Sequence, residues 1–272
     1  MPLPSSALSG AQFIKNKTKL FRRRALHRGR IFLNYHARRR RKRPFFVLAA
    51  RRTGSNLLLS YLNSVPGVSF APEILHPGMW YGVRDRFISK RAVLRHVAFS
   101  IHDCPHEVCG AKFVETQLAA HGLKPSDLRR IFPEAGFLVL YRRSVLDQLL
   151  SLRIAELTGD WLWRREFRVP EAVSIEPAEL AAFHAATSAF YRSLLDDEAV
   201  RERSVLLTYE ELAADPQRTF DEKLFPFLGV PRCAVTSGLR RQNTKSPAEL
   251  LANHAALSRA PECRLDPAGA VR

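Results

Sequence analysis

A chain of 272 residues that is 46% hydrophobic and 10% aromatic holds material for one sizeable α/β core and a modest extension, which excludes two full domains. Its net charge of +17 suggests a polyanion partner until the charge is located: 16 Lys and Arg precede the first acidic residue, Glu73, and the 200 residues from there on hold 27 bases against 26 acids. Four cysteines make no disulfide framework in a chain this long, and no run of 18 apolar residues occurs, so a cytoplasmic protein without a membrane span is expected.

Residues 1–43 read as a basic extension, with the cluster Arg22, Arg23, Arg24, the run from Arg38 to Arg43, and apolar residues such as Phe13, Ile14, Leu20 and Phe21 spaced for an amphipathic helix. Such a segment suits a peripheral position on an anionic membrane surface; a solvated basic tail is the alternative. No nucleic-acid partner is expected, because the body carries no recognisable nucleic-acid motif. After Pro44 the character switches to Phe45, Phe46, Val47, Leu48, Ala49, Ala50, a continuous apolar run that predicts a buried parallel strand.

That strand leads through Arg51, Arg52, Thr53, Gly54, Ser55 and Asn56 into the helical pattern Leu57, Leu58, Leu59, Tyr61, Leu62. Further strands are predicted over 108–114, 136–141 and 204–209, with helices over 145–157 and 177–195. Alternating strands and helices predict a single α/β domain over 44–258, with a central parallel sheet flanked by helices. From residue 259 the chain carries Pro261, Pro267 and Gly269 and reads as a flexible tail.

The loop 51–56 has the chemistry of a phosphate site. Gly54 permits close backbone approach, Thr53 and Ser55 bring hydroxyls, Arg52 brings a cation, and the next helix turns its unpaired N–H groups toward the loop. It lacks the second glycine and the lysine of the GxxxxGK[ST] loop, so a kinase or GTPase loses its main support. Taken alone, the loop is equally a helix cap made by Thr53 or Ser55.

A second segment adds weight. The strand 136–141 runs into Arg142, Arg143 and a helix in which Ser151 stands eight residues after Arg143. Together the two segments resemble the PAPS-dependent sulfotransferase superfamily, where an R-[ST]-G-[ST] loop holds the 5'-phosphosulfate and a strand-terminal arginine with a serine at plus eight holds the 3'-phosphate. Arg52, Thr53, Gly54 and Ser55 match the first motif, with Asn56 where Ser or Thr is usual. Arg143 and Ser151 match the second, and the form YRRSVLDQLLS, with Ser144 and Val145 in place of Asp-Pro, is similar to the bacterial nodulation-factor and trehalose branches. The passage YEELAADP from Tyr209, followed by FLGV from Phe227, resembles the stretch whose tyrosine sits near the adenine. Gly110, Ala111, Lys112 resembles a G-x-K strand of bacterial members.

What the resemblance implies is a P-loop-like strand-loop-helix that binds PAPS (3'-phosphoadenosine 5'-phosphosulfate) as co-substrate through Arg51, Arg52, Thr53, Gly54, Ser55, Asn56, Arg143, Ser151 and Tyr209. It also implies sulfuryl transfer to a hydroxyl of a carbohydrate or glycolipid, release of PAP, and no metal. Arg52 is expected to stabilise charge on the leaving phosphate. Glu73 is the first choice for the base that takes the acceptor proton and His76 the second, since both follow the first helix; the alternative is a loop charge and a surface histidine. Trp161, Trp163, Arg164 and Arg165 are candidates for the acceptor cleft or plain packing residues, and 240–245 for a flap over the nucleotide or a solvated loop. Cys104 and Cys109 lack a second ligand pair at zinc spacing. The competing function is a basic nucleic-acid or membrane-surface binding protein with an inactive nucleotide fold.

Overall fold

A computed structural model describes residues 41–71, 73–76, 89–159, 161, 170, 172–239 and 245–267. The basic extension up to residue 40, the stretch 162–169 with Trp163, Arg164 and Arg165, the segment 240–244 and the last five residues lie outside the described residues.

Five strands form one parallel sheet in the order β2-β3-β1-β4-β5. They are β1 (Arg43–Ala49), β2 (Val68–Ala71), β3 (Val108–Val114), β4 (Gly136–Tyr141) and β5 (Ser204–Thr208). β1 lies at the centre, paired with β3 from Arg43↔Val108 to Ala49↔Val114 and with β4 from Phe45↔Gly136 to Ala49↔Leu140. Its sequence RPFFVLA is apolar on both sides of the pleat, as a strand covered on both faces requires. Phe46 and Leu48 face one core, which also takes Phe113, Phe137 and Val139. Phe45, Val47 and Ala49 face the other, with Leu138 and Leu140. Phe46 is fully buried, its ring 5.6 Å from that of Phe113 and 6.1 Å from that of Phe137; burying such a side chain contributes about 1.5 to 3 kcal/mol.

Helices cover both faces. The first core is closed by α2 (Lys90–Asp103), α5 (Val145–Thr158) and α6 (Pro177–Leu195); between them in the chain lie α3 (Glu115–His121) and α4 (Pro125–Ile131). The second is closed by α1 (Ser55–Leu62), through Leu58 and Leu62, and by Phe220, Leu224 and Phe225 beyond α7 (Glu198–Glu202) and α8 (Tyr209–Ala214). From β1 the chain crosses toward β2, and from β4 it crosses toward β5, so β1 and β4 are neighbours whose connections leave in opposite directions. A crevice therefore opens at the carboxyl ends of these two strands, the usual place for a ligand in an open α/β sheet.

Differences from the sequence reading are local. Four-residue β2 is an edge strand too short to be legible, and α2 has a polar sequence whose start is marked only by Ser89, which accepts the N–H of Ala92 at 3.3 Å. The last strand stops at Thr208, because Thr208 and Glu211 form a capping box that makes Tyr209 the first residue of α8. The stretch expected as a loose tail packs on the domain as far as residue 267. Leu265 is buried and its N–H donates to the carbonyl of Arg143 at 2.8 Å, with an isolated bridge between Ser144 and Arg264.

Candidate active site

The carboxyl ends of β1 and β4 are tied together by a buried tyrosine. Tyr191 of α6 donates its hydroxyl to the carbonyl of Leu140 at 2.7 Å and accepts the N–H of Ala50 at 3.0 Å. Burial is the main reason its phenol is pushed far above the ordinary tyrosine range, so it stays a neutral cross-brace. From Ala50 the chain turns sharply, and Thr53, fully buried, donates its hydroxyl back to the carbonyl of Ala50 at 2.9 Å. Two residues of the turn have left-handed backbone, Arg52 at φ 64° and Gly54 at φ 81°. Glycine takes this conformation freely, whereas a side-chain-bearing residue is strained there, a pattern concentrated at ligand-binding sites. Gly54 caps α1 without a side-chain bond, which leaves the helix N-terminus facing the crevice.

Arg52 reaches from this turn to α5, where its Nε–H donates to Ser151 Oγ at 3.0 Å and its Nη1 to the carbonyl of Trp161 at 2.9 Å. Burial, and then the neighbouring charge of Arg142, lower its affinity for the proton. Arg51 pairs with Glu115 at 2.7 Å, and its carbonyl accepts from Gln148 Nε2 at 2.7 Å, which seats the loop on α5. Tyr209 leans over the same turn: a Cβ placed on Gly54 would come within 2.4 Å of Tyr209 Cδ2. Above that ring sits the guanidinium of Arg142, 4.6 Å from its centre.

A second cluster adjoins α1. Lys112 of β3, almost wholly buried, donates to Asn56 Oδ1 at 2.7 Å and pairs with Glu73 Oε1 at 2.5 Å, while Gln117 Nε2 lies 3.4 Å from Glu73 Oε2. Asn56 thus has a use that Ser or Thr, with a shorter reach, would not serve in the same way. Glu73 faces a buried ammonium, and His76, exposed, is linked to it by the backbone bond from His76 N–H to Glu73 O at 2.9 Å.

Arg143 is turned away from this group. Its guanidinium lies 3.8 Å from Glu210, and the same carboxylate accepts the backbone N–H groups of Arg143 at 3.1 Å and Ser144 at 3.2 Å. The side chain is 57% exposed and lines a cleft of about 410 Å³ with Asp147, His254 and Arg264. Arg143 stands two residues before α5, and Ser151 lies six helical steps into it, roughly 9 Å along the axis from Val145. The fold therefore brings together Arg52, Gly54, Ser151 and Tyr209, places Asn56 and Glu73 on one lysine, and sets Arg143 just before α5. The sequence reading gave no structural part to Gln117, Gln148 or Tyr191, and nothing in their spacing singles them out. Arg142 it named only as a residue between the strand and Arg143; both arginines lie past the end of β4 at Tyr141.

Residues 44–233 match the profile of the Sulfotransferase family. Nodulation protein H from Rhizobium meliloti is 29% identical over 219 residues, covering 75% of this chain and 85% of that protein, and Nodulation protein H from Rhizobium tropici is 27% identical over 225 residues, covering 79% and 88%. The crystal structure of a sulfotransferase from Alicyclobacillus acidocaldarius aligns with 81% of this chain and 97% of its own at a TM-score of 0.49 and 18% identity.

Proposed function

This chain belongs to the sulfotransferase family, and from that premise we propose that it transfers a sulfuryl group from PAPS to a hydroxyl of a carbohydrate or glycolipid, releasing PAP. The observation that carries the reading is the hydrogen bond from Arg52 to Ser151, 99 positions apart, which joins the turn after β1 to the helix after β4. Two segments that the sequence offers separately as halves of a nucleotide site meet in one crevice. The residues present fit the donor: a glycine turn whose Cβ space is taken by Tyr209, a helix N-terminus, and two guanidinium groups close enough to feel each other's charge.

PAPS, when bound, supplies an activated sulfuryl group on a phosphate leaving group. The turn 52–55 holds that end with Arg52 and with backbone N–H groups, whose dipoles are fixed before the reaction begins and need no reorganisation. Ser151 and the Trp161 carbonyl orient the Arg52 guanidinium. Arg143, just before α5 and exposed, takes the 3'-phosphate, and Tyr209 lies against the base. Glu73 takes the proton of the acceptor hydroxyl, with Lys112 and Gln117 fixing its carboxylate. No metal is required by this scheme. The resemblance to nodulation-factor and trehalose branches supports a sugar hydroxyl as acceptor. Titration of the purified chain with PAP and with ATP tests the donor: tight binding of PAP and weak binding of ATP is expected, and the reverse preference would replace the reading with a kinase.

A further inference from the structure

Of the two arginines that follow β4, the second carries the family resemblance, yet the fold buries the first. Arg142 is 9% exposed, lies at the crevice between β1 and β4, and its Nε–H is buried without an acceptor among the described residues. Asp147 approaches only its Nη2, at 3.4 Å. We propose that Arg142 is a donor-binding residue that takes an oxyanion at the 5' end of the nucleotide, while its stack on Tyr209 fixes the turn at Gly54. The proposal rests on the reading above that the donor is PAPS.

Three observations support it. A buried guanidinium N–H with no acceptor among the described residues costs free energy that an oxyanion at that position offsets. The contacts of Arg142 run toward the phosphosulfate turn: its cation lies 4.6 Å from the centre of the Tyr209 ring, and that ring fills the space beside Gly54. Arg52, two residues before Gly54, feels the charge of Arg142 as well as burial. The mutual repulsion of these two cations is eased when an anion binds beside them. Among the described residues, Tyr209, Asp147 and Arg52 interact with Arg142. Of these Asp147 alone is acidic, and its 3.4 Å approach leaves Nε–H open. Arg143 differs on each point, being exposed, paired with Glu210 and joined through its carbonyl to the C-terminal segment. The 5' end therefore falls to Arg142 and the 3' end to Arg143.

The experiment is calorimetric titration of the full chain and of Arg142→Met, Arg142→Lys and Arg143→Ala with three probes: PAP, adenosine 5'-phosphate and adenosine 3'-phosphate. Arg142→Met is expected to lose about tenfold or more in affinity for PAP and for the 5'-phosphate, as befits a charge-assisted contact, and nothing for the 3'-phosphate. Arg142→Lys, which keeps the charge but not the planar fork, should lose less; it carries the test if the methionine variant does not fold. Arg143→Ala should show the opposite selectivity. An equal loss on the 3'-phosphate in either Arg142 variant, or unchanged affinity for all three probes, overturns the assignment. Failure of the wild-type chain to bind PAP would instead overturn the donor reading itself.

Discussion

Replacing Gly54 with alanine should disturb both the fold and the donor site, for two separable reasons. At φ 81° an L-residue meets its own carbonyl, a penalty of about 1 to 2 kcal/mol. The added Cβ would also sit 2.4 Å from Tyr209 Cδ2 and 3.1 Å from Cε2, so the ring or the turn must move. The ring is held by Arg142 above it, and overpacking of this kind costs about 1 to 3 kcal/mol. The sum is about 2 to 5 kcal/mol, a fall in Tm of at least about 4 °C for a domain of this size. A double-mutant cycle with Tyr209→Ala, followed by thermal melting and PAP titration, separates the two. With the ring gone only the backbone penalty remains, so the double variant should melt higher than the sum of the single losses predicts. Strict additivity, or a Gly54→Ala chain that melts and binds like wild type, would refute the packing of Tyr209 on the phosphate turn.

Other expectations follow from the same contacts. Glu73→Gln should lower turnover by about 10²- to 10⁴-fold with little change in PAP affinity, and should also lower Tm because Lys112 keeps its buried charge without an anion. Adding Lys112→Met should restore Tm but not turnover, and His76→Ala should matter less than either; recovered turnover in the double variant would make Glu73 a structural partner. Ser151→Ala should weaken PAP binding by about 1.5 to 3 kcal/mol in a titration, since it removes the partner that orients Arg52 Nε. Deleting residues 1–40 should leave turnover on a soluble acceptor unchanged and reduce co-sedimentation with anionic vesicles, and vesicle binding retained by the truncated chain would end the membrane-surface idea.

Much of the fold was legible because its central elements are locally unambiguous. The run from Phe45 to Ala49 has no polar face and can only be a strand covered on both sides. The span 177–195 begins at Pro177 and carries enough apolar residues at helical spacing to be read from end to end. β2 was invisible since four residues at an edge carry too little pattern. In the C-terminal segment Pro261 and Pro267 suggest looseness, while the docking of Leu265 on Arg143 is a tertiary contact that composition does not encode.

The site was legible as two motifs and illegible as a contact map. Arg52, Gly54, Ser151 and Tyr209 follow from the family resemblance, and they converge because β1 and β4 are neighbours. The sequence offered no way to choose which of Arg142 and Arg143 turns inward, since that depends on how the backbone turns after Tyr141, the last residue of β4. Nor did it show that Asn56 and Glu73 share Lys112, which requires β3 to lie beside β1.

The account stands most directly on transfer itself. Purified chain incubated with PAPS carrying radiolabelled sulfur and a panel of carbohydrate and glycolipid acceptors should move label onto an acceptor, and Arg52→Ala should abolish that movement. Label that stays on the donor across the panel while the chain binds ATP, or transfer that persists undiminished in Arg52→Ala, would contradict it.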